Sequence, residues 1–278
     1  MPMLLVEVLA TTIVVIYAVA CGRSSASPRR FFIRFASVAV AAAITENTCI
    51  QLYGFYAYDP SWNIFVGRVP VLVVLIWPCL IDSAWQIASH LREAGRPSTV
   101  LLAAAIVLAD ASLIEPVAVQ AMLWRWNEPG FLGVPPIGVL GWALFALGGL
   151  AVFQINDRHR RSARWDWIVL LAAPAFTHLA LLSVWWGGLS TLSAAVPWPP
   201  TVALVWLVSA ALTATIIVRP WGRLVPFPTM LLRIGPTLFF FALLATHGAP
   251  SALWLYAVAF APPYLALTFR AMRAPRPT

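Results

Sequence analysis

After the first apolar stretch of the chain, four carboxylate side chains fall within later apolar stretches: Glu46, Asp82, Asp110 and Glu115. An ionisable group inside a lipid bilayer costs about 2.5–3.5 kcal/mol on insertion scales and tends to be functional. A carboxyl group in apolar surroundings has its charged form disfavoured, so it can keep its proton at neutral pH and act as a general acid. The four residues therefore suggest acid–base chemistry inside a membrane. The alternative is that each one hydrogen-bonds to a neighbouring helix and only fixes the packing.

The spacing of these acids decides which of them can meet. Asp110 and Glu115 are five residues apart, about 140° around an ideal helix. They share one face only if Pro116 distorts the turn before it. With the topology derived below, Asp82 falls towards the inner end of its helix, whereas the other three acids fall in the outer half. We therefore expect Glu46, Asp110 and Glu115 to converge as catalytic residues.

Aromatic residues surround these acids in the predicted outer connections: Tyr53, Tyr56, Tyr58, Trp62, Trp124 and Trp126. The aromatic belt that membrane proteins place at the lipid–water interface explains part of this set. The functional interpretation is that some of the rings line a cavity and stabilise a carbocation through their π faces. Arg125 stands between two of the tryptophans, and it could pair with Glu128, Asp59 or an intramembrane acid.

The elements that position these residues are membrane helices. Hydrophobic residues make up 61% of the 278 residues and charged residues only 10%; mean hydropathy is +0.84. A soluble domain has about 25% charged residues, and a membrane helix needs about 20 apolar ones. Nine stretches qualify, at about 3–21, 31–50, 68–88, 98–119, 132–155, 166–187, 199–218, 229–247 and 250–269. We expect an all-α polytopic membrane helix bundle, with one domain over 1–270 and a cytoplasmic tail over 271–278.

The basic residues predict the orientation of this bundle. All 18 of them are arginine. If the N terminus lies outside, every arginine except Arg68 and Arg125 falls on the cytoplasmic side, as the positive-inside rule requires. The sequence therefore predicts nine helices with the N terminus out and the C terminus in, in the plasma membrane. This distribution also accounts for the net charge of +8 without a nucleic-acid partner.

Prolines fall inside several of the predicted helices: Pro78, Pro116, Pro174, Pro236 and the pair Pro262–Pro263. Each proline removes one backbone hydrogen bond and should kink its helix, which a membrane tolerates where a neighbour satisfies the freed carbonyl. Kinked helices can leave an internal cavity, as an enzyme or a transporter requires.

Patterns typical of metal or cofactor sites are missing. Cys21, Cys49 and Cys79 form no CxxC pair and no metal-ligand spacing. The histidines have no spacing suited to a zinc or di-iron site, and His178, the only one deep in a predicted helix, fits a packing role. No phosphate-binding glycine loop and no aspartate-rich box for magnesium and diphosphate is present. If the chain is an enzyme, we therefore expect it to work without a cofactor.

Two stretches carry a series of short motifs in a fixed order. The first begins at Glu46 and continues through Gly54–Tyr58 (Gly-x-Tyr-x-Tyr), Gly67–Pro70 and Trp77. The second begins at Asp110 and continues through Glu115–Pro116, Trp124–Trp126 with Gly130, Gly133–Pro135 and Gly141–Trp142. This order resembles the carotenoid biosynthesis membrane family whose best-known members are the carotenoid 1,2-hydratases. Ala109, Glu115 and Gly138 depart from the family's usual tryptophan, aspartate and asparagine, which leaves the substrate and the reaction outcome open.

The resemblance implies an enzyme that hydrates the terminal isopropylidene group of a carotenoid or another isoprenoid. Asp110 or Glu115 would donate the proton, and Glu46 or the remaining acid would position the water. Six aromatic residues would bind the substrate or its cation: Tyr53, Tyr56, Tyr58, Trp77, Trp126 and Trp142. The substrate would enter sideways from the membrane lipids.

Two other functions remain open at this stage. A cyclase could use the same acid, if a dry cavity folds the chain so that an internal double bond captures the cation. A transporter or an assembly protein could also place charged groups in broken helices, although a transporter would more often show repeated halves. The oligomeric state is open as well.

Overall fold

The computed structural model describes residues 1–92, 96–192, 197–219 and 224–272, and these contain nine helices long and apolar enough to cross a membrane. They are α1 (Met3–Ser24), α2 (Pro28–Thr48), α3 (Val71–Leu91), α4 (Pro97–Gln120), α5 (Pro136–Arg158), α6 (Val169–Val184), α7 (Trp198–Val218), α8 (Phe227–Thr246) and α9 (Ser251–Met272). A turn at residues 259–260 divides α9 into the segments Ser251–Val258 and Ala261–Met272. Shorter helical segments flank two of the nine helices. A π-helical turn, Cys49–Tyr53, follows α2. A 3₁₀ turn, Ala163–Ile168, precedes α6, and a π-helical turn, Trp185–Leu189, with a short helix, Ser190–Leu192, follows it. The fold is therefore an all-α bundle.

The nine predicted stretches are confirmed, each by one helix. The predicted division of the last pair at 247–250 is also correct, because α8 ends at Thr246 and α9 begins at Ser251. Gly248 makes this turn with a φ of 60°, a conformation that glycine adopts without strain. The description ends at Met272, so most of the predicted tail lies outside the described residues, as do Arg223, Arg273 and Arg276.

Prolines both begin and interrupt these helices. Pro28, Pro97 and Pro136 open α2, α4 and α5, where the missing N–H removes no hydrogen bond. Pro116 lies inside α4 and frees the carbonyl of Ser112, four residues earlier; the Tyr256 hydroxyl of α9 donates to that oxygen over 2.9 Å. The side chain of another helix thus replaces the lost bond, as membrane helices require. The helix consequently continues past Pro116 to its end at Gln120.

Five of the helices form a closed ring. Neighbours pack in the order α2, α3, α4, α5 and α6, and α6 packs back against α2. The other four helices lie outside the ring: α1 contacts α2, α3 and α8, while α8 and the first half of α9 contact α4, and α7 packs on α9. The interior of the ring is therefore bordered by all five ring helices.

Two short antiparallel strand pairs cover one end of the ring. Strand β1 (Tyr56–Tyr58) pairs with β4 (Trp124–Trp126), and β2 (Phe65–Val66) pairs with β3 (Val69–Pro70). β1 follows α2 and β4 follows α4, so both pairs lie where these helices end. We call this end of the bundle the strand end.

Candidate active site

The interior of the ring holds a cavity at the strand end, which we call the carboxyl cavity. All five ring helices and the β1–β4 pair contribute to its wall, and its volume is about 50 Å³. One water needs about 10–15 Å³, so the cavity has room for a few waters or for the tip of a hydrocarbon chain. Two carboxyl groups, Glu46 of α2 and Glu115 of α4, line it among mostly apolar and aromatic side chains.

Glu46 is buried and accepts three hydrogen bonds. The Tyr58 hydroxyl donates to Oε2 over 2.7 Å, and the Tyr56 hydroxyl donates to the same oxygen. The Trp77 indole N–H donates to Oε1 over 3.1 Å. Both oxygens of Glu46 therefore have partners, of which two are hydroxyl groups that can also accept a hydrogen bond.

Glu115 is 2% exposed and also accepts three hydrogen bonds. All three donors are indole N–H groups: Trp124 at 2.8 Å and Trp126 at 2.9 Å on Oε2, and Trp142 at 2.7 Å on Oε1. An indole nitrogen only donates, so each partner of Glu115 requires an acceptor. These three indole donors favour the deprotonated carboxylate of Glu115, because a proton on either carboxyl oxygen would point toward an N–H group that cannot accept it.

The β1–β4 pair explains how alternate residues reach both carboxyl groups. In a strand, residues two apart point to the same side. Tyr56 lies opposite Trp126 and Tyr58 lies opposite Trp124, so four rings face the cavity from one side of the pair. Burial, the largest cause, raises the pKa of both tyrosine hydroxyls well above the ordinary value, so both keep their protons.

Stacked tryptophans connect the two carboxyl groups. The rings of Trp77 and Trp142 lie 4.2 Å apart at 21°, and the first donates to Glu46 whereas the second donates to Glu115. Phe145 packs edge-on against Trp77 at 4.8 Å. The two acids therefore share one rigid aromatic wall, which offers π faces to a cation in the cavity.

Asp110 does not join these acids, and the expected convergence of all three is wrong. It contacts Arg233 of α8 in a buried ion pair and accepts a hydrogen bond from the Tyr264 hydroxyl of α9 at 2.6 Å. Since α4 stays helical through Pro116, Asp110 and Glu115 keep their separation around the axis and face different neighbours. Arg233, counted above with the cytoplasmic connections, lies inside α8 and neutralises Asp110.

Three other residues singled out from the sequence lie away from the carboxyl cavity. Asp82 accepts hydrogen bonds from Tyr17 at 2.8 Å and from Gln86 at 2.7 Å. Tyr53 packs against Phe55 at 5.2 Å and is not part of the cavity wall. The other five aromatic residues predicted to bind the substrate or its cation do line the cavity: Tyr56, Tyr58, Trp77, Trp126 and Trp142. Trp62 is not part of the cavity wall, and its indole N–H donates to the Leu123 carbonyl over 3.1 Å.

Trp124 and Gly138 belong to the site, although neither is among the residues predicted from the sequence to bind the substrate or its cation. Trp124 shares a strand face with Trp126, and the Trp-x-Trp spacing could have shown this. Gly138 allows Trp126 to lie against α5, because a Cβ there would come within 2.6 Å of the indole Cζ2. Among the residues that the structure describes, no group of three His, Cys, Asp or Glu side chains could hold a metal ion.

Comparison with known proteins gives one match. The sequence model of a family described as "carotenoid biosynthesis protein" matches residues 3–210, which include the whole five-helix ring and the carboxyl cavity. No curated protein and no solved structure gave a significant match. The match ends within α7, so α8 and α9, which hold Arg233 and Tyr264, lie beyond it.

Proposed function

Because this chain belongs to the carotenoid biosynthesis protein family, its role lies in carotenoid biosynthesis, and we propose that it is a membrane-embedded hydratase of isoprenoid double bonds. The observation that carries the proposal is the pair Glu46 and Glu115 in one cavity lined largely by aromatic side chains. Hydration of a terminal isopropylidene group needs a proton donor, protection of a tertiary cation and one water. In the carboxyl cavity a carboxyl group can supply the proton, aromatic rings can protect the cation, and the free volume can hold the water.

Glu46 is the proton donor in this proposal. Two anions in one apolar cavity repel each other, and one bound proton removes the repulsion. That proton suits Glu46, because a tyrosine hydroxyl can turn and accept a hydrogen bond from a protonated carboxyl group, whereas the indoles around Glu115 cannot. The proposal therefore leaves out Asp110, whose carboxylate is neutralised by Arg233 outside this cavity.

The reaction then proceeds in two steps. The Oε2–H bond of Glu46 breaks as a new C–H bond forms at C2 of the substrate, which leaves the positive charge on the tertiary C1. The Glu115 carboxylate and the faces of Trp77 and Trp142 stabilise that cation. Water then adds to C1, and the proton it loses returns to Glu46. The acid is regenerated, and no external proton is consumed.

The size of the cavity favours hydration over cyclisation. A volume of about 50 Å³ accommodates the tip of a chain and a water, whereas cyclisation needs room to fold several carbons of the chain back onto the cation. The substrate is lipophilic and would enter from the surrounding lipids. In the proposed orientation the N terminus and the strand end face the outside of the plasma membrane, as the arginine distribution favours.

The test is expression in cells that make an acyclic carotenoid, followed by mass analysis of the pigments. Hydration adds one water, about 18 mass units, to the substrate for each C=C bond that reacts. An isomer of unchanged mass with an altered absorption spectrum would indicate the cyclase instead. Unchanged pigments across several acyclic substrates, with the protein inserted in the membrane, would contradict both enzyme activities and favour transport or assembly.

Gly138 should control this activity through Trp126. In the Gly138→Ala variant the new methyl group displaces the indole, and the hydrogen bond from Trp126 to Glu115 weakens. A hydrogen bond to a charged group is worth about 1.5–3 kcal/mol, so we expect product formation per inserted protein to fall about tenfold or more. Gly149→Ala on the same helix is the control, because its Cβ would meet Val169 at an ordinary 3.4 Å. Equal activity of the two variants would show that the position of Trp126 is unimportant.

A further inference from the structure

A second cavity lies inside the same ring, towards the end opposite to the strand end. Its volume is about 300 Å³, several times that of the carboxyl cavity. Helices α2, α3 and α5 and the connection before α2 line it. Its wall combines aromatic rings with charged groups: Phe31, Phe35, Trp85, Phe153, Arg30, Arg34, Asp82 and Asp157. A ligand of this cavity would therefore be apolar over most of its surface and polar at one group.

The charges in this wall are balanced and fixed in place. Asp166, fully buried, accepts hydrogen bonds from Nε of Arg30 at 2.9 Å and from Nε of Arg34 at 3.0 Å. Asp157 lies 3.0 Å and 2.6 Å from the same two guanidinium groups, and Asp82 adds a further carboxyl group to the wall. Because aspartates match the arginines, the cavity offers a phosphate no excess positive charge. A neutral hydroxyl group can both donate to a carboxylate and accept from a guanidinium.

The two cavities are close neighbours along the ring axis. On α3, Trp77 lines the carboxyl cavity and the next residue, Pro78, lines the second one. On α5, Phe145 lines the first and Leu150 the second; five helical residues correspond to about 7.5 Å. A layer of side chains roughly one to two helical turns thick therefore separates the two spaces. A thin chain could span both if these side chains move aside.

We propose that the second cavity binds the far end of the isoprenoid whose near end reaches Glu46, and that this far end carries a neutral oxygen group such as a hydroxyl. The inference rests on the proposed function, since it concerns the same substrate. Glu46 and Arg34 are twelve residues apart on α2, about 18 Å along the ring, so the inference applies to an isoprenoid of about that length, which is shorter than a full carotenoid. The protein would thus select substrates by length and by the chemistry of the end remote from the reaction.

Photolabelling of the full-length protein in lipid nanodiscs tests this placement. The probe is a linear isoprenoid alcohol with a photoreactive diazirine beside its hydroxyl group, and labelled residues are mapped by peptide mass spectrometry. The Glu46→Gln variant is used, so that no turnover is needed and labelling remains readable even if the hydratase proposal fails. We expect labels on the walls of the second cavity, on peptides that contain Phe31, Phe35 or Phe153.

Filling the cavity should remove this labelling. Val38 lines the second cavity and is 3% exposed, whereas Val40 on the same helix is 46% exposed. Val38→Phe should lower labelling about tenfold, because the larger side chain fills the space in which the probe would lie. Val40→Phe is the matched control and should label like its parent. Leu150→Phe fills the same cavity from α5 and replaces Val38→Phe if that variant does not fold.

Three results would overturn the inference. Labels confined to lipid-facing residues, or unchanged in both filling variants, would show that the alcohol does not occupy the cavity. Displacement of the probe by phospholipid but not by unlabelled isoprenoid alcohol would identify a lipid site. Stronger competition by the phosphate ester than by the alcohol of equal chain length would contradict a neutral end group. Loss of hydration in the pigment experiment with labelling intact would reject only the proposed function.

Discussion

Replacing Glu46 by glutamine should abolish hydration while the protein stays folded. A positioned general acid contributes about 10²–10⁴ in rate, and glutamine cannot supply the proton. The fold should tolerate the amide, because its oxygen can accept from Trp77 while its NH₂ group donates to the hydroxyl of Tyr56 or Tyr58. Product is measured by pigment mass analysis, and folding by thermal unfolding of the purified protein in detergent.

The Glu115→Gln variant should be compared with Glu46→Gln, because we expect the amide to destabilise the protein more at position 115 than at position 46. Here the amide NH₂ must face an indole N–H of Trp124, Trp126 or Trp142, and that donor loses its acceptor. A buried donor without a partner costs about 1–3 kcal/mol. We therefore expect Glu115→Gln to lose activity and to unfold at a lower temperature than Glu46→Gln. Equal stability of the two variants would contradict the assignment of donor and acceptor roles, and full activity of Glu46→Gln would reject Glu46 as the acid.

Breaking the Asp110–Arg233 pair should produce the largest loss of stability of any single substitution considered. In Asp110→Asn the Arg233 guanidinium remains buried between α4, α8 and α9 without its counter-charge. Removing one partner of a buried ion pair costs about 3–5 kcal/mol, because it leaves the other charge buried without a partner, and removing both charges avoids that cost. We expect a marked drop in the unfolding temperature for Asp110→Asn, and recovery in the double variant Asp110→Asn/Arg233→Gln.

The double variant also separates packing from catalysis. Because Asp110 lies outside the carboxyl cavity, the stable double variant should hydrate at close to the wild-type rate, as measured by product per inserted protein. A double variant that folds but does not hydrate the substrate would show that Asp110 takes part in catalysis. It would then contradict the proposal that Glu46 and Glu115 are sufficient.

The helices were predictable from local patterns. Membrane helices are long apolar runs bounded by arginine, proline and glycine, so all nine could be located without knowledge of their partners. The division at 247–250 is an example, because a polar turn with Gly248 and Pro250 interrupts the apolar sequence in a way that a helix does not tolerate. The short strands β1 and β4 were not predicted, although the Tyr-x-Tyr and Trp-x-Trp spacings fit the period of two by which a strand places alternate side chains on one face.

The partners of the acids were decided by tertiary structure. The sequence presents Glu46, Asp110 and Glu115 as three similar buried carboxyl groups, and spacing alone gave Asp110 and Glu115 an angle of about 140°. Whether Asp110 and Glu115 meet the same partners depends on which helices pack on each side of α4. Those neighbours are set by contacts between distant parts of the chain. Arg233 shows the consequence: 123 residues separate it from Asp110, and no local pattern links the two.

The sequence by itself determined that the chain spans a membrane, that it carries buried acids near aromatic pairs, and which family motifs it contains. Only the tertiary structure decided that Glu46 and Glu115 share a cavity, that Asp110 is neutralised elsewhere, and which donors surround each carboxyl group. The physical reason is that burial and helix periodicity are local properties of a chain. The charge state of a buried acid instead depends on the few groups within hydrogen-bonding distance, and these come from distant parts of the sequence.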